Sequence, residues 1–179
     1  MVRAFVALEL TEEIRAALAE AQEILRGSSA RLTFVSPPQI HITVKFLGEV
    51  EEKKIGAVID ALKIIPFTPF PVTAGRVTVN NPRRPFTVWC SIDDNGKGAQ
   101  LVRAIEDSLA HLGFLRETRP FTAHATVARV KRYDHSLMDV LGRIGKNSYG
   151  SCMINGLKLK KSTLTSKGPI YEDLLEVNW

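Results

Sequence analysis

HITVKFLG, residues 41–48, is the stretch on which the reading of this chain turns. Val44, Phe46 and Leu47 give it the character of a strand, yet a histidine opens it and a threonine follows two places on. Strict alternation puts His41, Thr43 and Lys45 on one face and Ile42, Val44 and Phe46 on the other. A second stretch, HATVARV at 124–130, repeats the arrangement with His124 and Thr126. One such strand would be ordinary packing. Two need a common cause.

Working outward, residues 2–10 read as a strand. Thr11 reads as an N-cap, with Glu12 and Glu13 where negative charge suits the helix dipole. Ile14, Leu18, Ala21 and Leu25 keep helical spacing until Gly27. A short strand over 32–35 is broken by Pro37 and Pro38 ahead of HITVKFLG. Gly48 ends that strand and opens a helix over 51–65, with Ile55, Val58, Ile59 and Leu62 on one side; a strand over 72–79 follows.

The order then recurs. A strand over 87–92, a turn at Asp93-Asp94-Asn95-Gly96, a helix over 97–112, the HATVARV strand and a short helix capped by Asp134 repeat the first series. Residues 149–164 and 170–177 read as closing strands. The halves 2–65 and 87–145 therefore match element for element. The prediction is an α+β fold: one bilobed domain over 1–179, duplicated about an approximate twofold, each lobe an antiparallel sheet with helices outside and a cleft between. The twofold sets His41 opposite His124 across that cleft.

Composition narrows the classes. The hydrophobic share of 45% is that of a folded globular protein. No apolar run approaches the roughly 18–20 residues of a membrane span, and MVRAFVALEL lacks a signal peptide's layout, so no membrane association is expected. Cys90 and Cys152, both in apolar strand-like stretches, read as buried thiols rather than a disulfide framework, which fits a reducing cytoplasm. Net charge is +5, and residues 143–167 hold Arg143, Lys146, Lys158, Lys160, Lys161 and Lys167 with no acid. That stretch is either a solvated basic face or one turned toward phosphates.

Side chains at i and i+2 of a strand lie about 6.5–7 Å apart on one face, so each motif offers an imidazole beside a hydroxyl. Imidazole exchanges a proton near neutrality, and a hydroxyl can donate to an oxyanion. Two facing copies supply an acid, a base and two donors around one anion, the set that in-line displacement at phosphorus requires. A catalytic zinc wants three protein ligands. Two histidines with no Asp, Glu or Cys in either motif argue against metal, and no cofactor is expected. His111 and His135 lack such partners and read as structural or surface residues.

These residues resemble the 2H phosphoesterases, and more narrowly the RNA 2′,3′-cyclic phosphodiesterases first described as 2′-5′ RNA ligases. The likeness covers essentially the whole chain: RAFVALEL, VSPPQIHITVKFLGEV, RPFTAHATVARVK and STLTSKGPIYEDLLEV. Paired His-x-Thr-hydrophobic motifs are that family's defining mark. The resemblance implies metal-free hydrolysis of a terminal 2′,3′-cyclic phosphate to a 2′-phosphate. His41 would be the proton donor to the departing 3′ oxygen and His124 the proton acceptor from water, an order that the symmetry of the motifs does not fix. Run in reverse with an RNA 5′-hydroxyl, the same site would make a 2′-5′ linkage.

Thr43 and Thr126 would hold the phosphate, joined by Arg129, which matches the family's arginine after the second motif. Alternation alone puts Arg129 on the face opposite His124. Phe46 poses the same problem: the family reading stacks it on a base, whereas parity makes it a core residue. Ala123 stands where relatives often carry proline. The implied partner is RNA with a cyclic phosphate end, or a small cyclic-phosphate nucleotide, acted on by a monomer. An RNA-binding module without chemistry is the competing reading.

Overall fold

The computed structural model describes residues 1–166 and 168–179, so Lys167 of the basic stretch lies outside the described residues. In chain order the elements are β1 (Val2–Glu9), α1 (Glu12–Leu25), β2 (Arg31–Phe34), a 3-10 turn (Pro37–Gln39), β3 (His41–Val50), α2 (Glu52–Lys63), β4 (Phe70–Val79), β5 (Thr87–Asp93), α3 (Lys97–Ala110), β6 (His124–Arg132), α4 (Ser136–Arg143), β7 (Gly150–Ile154), β8 (Gly156–Thr165) and β9 (Gly168–Asn178).

Among the described residues the strands form one nine-stranded antiparallel sheet in the order β7-β4-β5-β6-β3-β1-β8-β9, with β2 pairing on β6. It curls into a half-barrel. The order is a mirror about the β6–β3 junction: β5 answers β1, β4 answers β8 and β7 answers β9. The duplication expected from sequence is thus visible, with one exchange that sequence did not show. β4 follows the first lobe's helix α2 but pairs with β5 of the second lobe. The single closing strand expected over 149–164 breaks at Asn155 for the same reason. β7 joins β4 on one edge, while β8 turns back to β1 near the other.

The helices cross over as well. α1 packs on α4, β6 and β7, and α3 packs on β3 and α2. Ile14, Leu18, Ala21 and Leu25 are buried on α1, and Leu101, Ile105 and Leu109 on α3, as their spacing requires. Each fully buried Leu or Ile contributes about 1.5–3 kcal/mol. Ile42, Val44, Ala125 and Val127 of the motif strands join this core. Thr11 holds the N-cap position of α1 without a backbone bond, its hydroxyl serving the Glu13 carboxylate instead. α4 begins one residue later than predicted, after His135, with the Asp134 carboxylate accepting from the Ser136 amide.

The strand expected to stop at Gly48 runs on to Val50. Gly48 takes a φ of 70°, which glycine adopts without strain, and the register shifts between Ala4 and Phe5. The strand bulges there instead of ending.

Candidate active site

β3 and β6 meet antiparallel at one ladder pair among the described residues, Ile42 with Ala125. Each strand begins at its histidine, so their overlap is confined to the first few residues of both around that pair. His41 and Thr43 flank Ile42; His124 and Thr126 flank Ala125. The two motifs are therefore brought side by side at the centre of the sheet.

Each motif strand carries a bulge three residues after its histidine. β1 pairs Val6 with Lys45 and Ala7 with Thr43, so Val44 is an extra residue in β3. β5 pairs Val88 with Ala128 and Trp89 with Thr126, so Val127 is an extra residue in β6. A bulge resets the alternation. Two adjacent residues turn inward, Val44 with Lys45 and Val127 with Ala128, and the next residue swings to the histidine face. This resolves the parity problem at both Phe46 and Arg129. Phe46 is not a core residue: it is 70% exposed, 6.2 Å from the Phe5 ring that also stacks on His41. Arg129 is exposed too, donating 3.2 Å to the Thr87 hydroxyl, and its charge acts on both His124 and Tyr171.

The same reset corrects Lys45. It does not share the face of His41 but is buried, its ammonium 3.0 Å from Glu106 Oε1 on α3 and 2.9 Å from the Leu115 carbonyl. The Glu106 carboxylate also accepts the Glu117 amide at 2.7 Å. Burial works to raise its pKa, but that amide bond and the Lys45 contact outweigh it and hold the carboxylate below its ordinary value. At the other bulge, Gln22 of α1 donates to the Val127 carbonyl at 2.9 Å and to the Val35 carbonyl at 2.7 Å. Gln22, Lys45, Glu106 and Thr87 are buried polar side chains. The first three brace the two bulges, and Thr87 receives Arg129.

The histidines are held alike. His41 Nδ1 donates to the Gln39 carbonyl and His124 Nδ1 to the Thr122 carbonyl, each at 2.7 Å. A carbonyl can only accept, so Nδ1 carries hydrogen and Nε2 is the nitrogen available for exchange. His41 Nε2 lies 3.0 Å from the Thr43 hydroxyl. Phe5 stacks behind His41 at 5.0 Å, and Trp89 lies against His124 at 4.2 Å. Burial pushes both imidazole pKa values below their ordinary range. At His41 the Gln39 bond and the Glu9 charge oppose that, while Lys160 and Arg15 add to it. At His124 the Thr122 bond opposes it and Arg129 adds to it.

Tyr171 of β9 escaped the sequence reading. Its ring meets His41 edge-on at 5.7 Å and Phe5 at 5.1 Å. Burial raises its pKa against the pull of Arg129, Arg3 and Lys160, cations from three strands. A cavity of about 310 Å3 beside His41 is lined by Glu9, Gln39, Lys160, Tyr171 and Asp173. The signal available in sequence was its place in the closing stretch STLTSKGPIYEDLLEV, but nothing local marks Tyr171 as facing a histidine.

Among the described residues of the basic stretch, four lysines are neutralised. Lys158 pairs with Asp173 and Glu176, Lys160 with Glu9 and Asp173, Lys161 with Glu172, and Lys146 with Glu20. Those acids come from other elements, chiefly the partner strand of the β8–β9 hairpin. Cys90 is fully buried, with its thiol pushed up to about 12 by burial, whereas Cys152 is only half-buried. His111 and His135 are exposed, as read from sequence. Among the described residues no group of three or more His, Cys, Asp or Glu could hold a metal ion.

The profile of the LigT-like phosphoesterases matches residues 8–89 and 93–171. The chain belongs to the LigT-like phosphoesterase family. A relative from Archaeoglobus fulgidus named RNA 2′,3′-cyclic phosphodiesterase is 36% identical over 174 residues, covering 97% of this chain and 98% of its own. Another of the same name, from Methanothermobacter thermautotrophicus, is 32% identical over 178 residues, covering 97% and 96%. Among solved structures, TT0787 of Thermus thermophilus superposes with a TM-score of 0.82 at 26% identity, covering 98% of this chain and 97% of its own. The resemblance to the 2H phosphoesterases and the α+β fold read from sequence are both borne out. No helix among the described residues is long and apolar enough to cross a membrane.

Proposed function

We propose that this LigT-like phosphoesterase hydrolyses a 2′,3′-cyclic phosphate at the end of RNA to a 2′-phosphomonoester, with His124 as general base and His41 as general acid. The observation that carries the reading is the matched setting of the two imidazoles. Each is fixed through Nδ1 to a backbone carbonyl, which leaves Nε2 as the nitrogen for proton exchange, next to the Ile42–Ala125 ladder pair.

The step balances as follows. Water oxygen forms a bond to phosphorus while the bond from phosphorus to O3′ breaks. The water proton passes to Nε2 of His124, and the proton on Nε2 of His41 passes to O3′. Exchange with solvent restores the starting protonation. Thr43, Thr126 and Arg129 face the charge on the non-bridging oxygens. The two imidazoles supply both proton transfers, so the step calls on no metal.

Burial lowers both imidazole pKa values, and the charges around them differ. Glu9, opposite His41 in the β1–β3 ladder, favours its imidazolium against Lys160 and Arg15, whereas at His124 the charge of Arg129 opposes the imidazolium. Phe46, exposed on the same face, suits stacking on the terminal base. An RNA 5′-hydroxyl replacing water in the reverse direction would give a 2′-5′ linkage.

The test is digestion, in excess chelator, of an oligonucleotide ending in a cyclic phosphate. A 2′-phosphate product is expected. A 3′-phosphate would overturn the choice of leaving oxygen, and activity abolished by chelator would overturn the two-histidine mechanism.

A further inference from the structure

Lys146, Lys158, Lys160 and Lys161 of the basic stretch are paired with acids of the fold, which leaves open where an RNA chain would find its charge partners. The hairpin loop joining β4 to β5, Asn80-Asn81-Pro82-Arg83-Arg84-Pro85-Phe86, offers an answer. Arg83 and Arg84 are exposed, and among the described residues neither guanidinium is in a salt bridge. Phe86 is 60% exposed.

The loop is scaffolded from within. The Asn80 side chain accepts from the Phe86 amide at 3.1 Å and the Thr87 amide at 2.9 Å. The Asn81 side chain accepts from the Arg83 amide at 2.9 Å. Pro82 and Pro85 fix two further φ angles, and Pro85 is buried. Two arginines and a phenylalanine are thus presented with little backbone freedom left to lose on binding.

Its position ties it to the cleft. The Phe86 carbonyl accepts from the Val130 amide, and Thr87, next in sequence, is the ladder partner of Arg129 and accepts its guanidinium. Arg84 and Arg83 are three and four residues from Thr87, at most about 10–14 Å of chain. The surface beside Phe46 carries carboxylates that disfavour a polyanion. Beyond Phe46 lies a groove of about 400 Å3 lined by Glu49, Glu51, Lys54 and Leu115, with Lys54 already paired to Glu51.

We propose that the 80–86 loop is a docking surface for single-stranded RNA on the 5′ side of the reacting nucleotide, with Arg83 and Arg84 on phosphates and Phe86 under a base. This rests on the cyclic phosphodiesterase reading above. Arginine suits phosphate because its planar fork binds two oxygens at once and is weakly hydrated. An exposed aromatic stacks on any base.

The experiment compares the parent with the R83Q/R84Q double variant and with Phe86→Ala on two substrates. One is adenosine 2′,3′-cyclic phosphate; the other is a ten-nucleotide RNA ending in a 2′,3′-cyclic phosphate. Binding of a labelled ten-nucleotide RNA with a 2′-phosphate end is followed by fluorescence anisotropy, which needs no turnover. For the double variant we expect mononucleotide turnover within about twofold of the parent. RNA affinity should fall, and the slope of log affinity against log salt should shrink by about 1.4, the value for two phosphate contacts on a single strand. Phe86→Ala should weaken the RNA by about 5- to 100-fold at any salt. Unchanged RNA affinity and salt slope would overturn the docking surface, as would equal losses on both substrates. A parent inert on both substrates that still binds RNA through Arg83 and Arg84 would overturn the enzymatic reading and leave the surface standing.

Discussion

β3 and β6 are the same device built twice with different parts. Both open on a histidine held by a carbonyl two residues back, both carry a threonine two residues on, and both bulge at the next position. Beyond the bulge they diverge. β3 exposes Phe46 where β6 exposes Arg129, and β3 buries Lys45 where β6 buries Ala128. The braces differ accordingly. An ion pair with Glu106 of α3 secures the first bulge, and the neutral amide of Gln22 on α1 secures the second. In the proposed mechanism, what the lobes share serves proton transfer, and what they do not share would give a base-stacking side and a phosphate side.

The comparison breaks first at the imidazoles. His41→Ala and His124→Ala should each lower cyclic phosphate hydrolysis by roughly 10²–10⁴-fold while product binding is kept. Their pH profiles should differ. The parent's kcat/KM against pH should be bell-shaped and centred below about 6.5, because burial lowers both pKa values. Loss of the base His124 should remove the acid-side limb, and loss of the acid His41 the alkaline limb. Swapped limbs would exchange the two roles.

The braces come next. Lys45→Met strands the Glu106 carboxylate in the interior and should destabilise by about 3–5 kcal/mol, measured by urea unfolding. Adding Glu106→Leu should recover part of that. Gln22→Leu leaves two carbonyls without its amide and should cost about 1–3 kcal/mol. An equal cost at the two lobes would contradict the contrast between a charged and a neutral brace.

The residues after the bulges sharpen it further. Phe46→Ala should raise KM for a cyclic mononucleotide by about 5- to 100-fold, independent of salt. The defect of Arg129→Ala should instead vary with salt, since that contact is ionic. The smallest effect is on stability. Each imidazole titrates lower in the folded chain than in the unfolded one, whose value is about 6.5. Below about pH 6.5 the unfolded state therefore binds more protons, and stability drops as the pH is lowered until the folded pKa values are passed. Inorganic phosphate, which favours imidazolium in the cleft, should offset part of the drop in thermal unfolding scans.

Much of this was legible in the sequence because the signals are local. Helical spacing in 14–25 and 101–109 predicts α1 and α3, and a histidine two residues before a threonine is visible without a structure. The bulges are not local. Val44 looks like any strand valine, and only its place opposite β1 makes it the extra residue. Alternation counted through it assigns Lys45, Phe46 and Arg129 to the wrong faces. The basic stretch misleads for a related reason: Glu172, Asp173 and Glu176 follow it in sequence and meet its lysines only when β8 and β9 pair. Tyr171 reaches His41 from that same hairpin.

The inward pair at 44 and 45 also gives this gene a tolerance for changing length. Losing the codon for Val44 would set Thr43 and Lys45 against consecutive residues of β1, Ala7 and Val6, in plain alternation. The benzyl ring two places on would stay in the cleft. A chain one triplet shorter at this point would therefore keep the Phe46 ring on the histidine face, and a gap there in an alignment would be no sign that the ring has been lost.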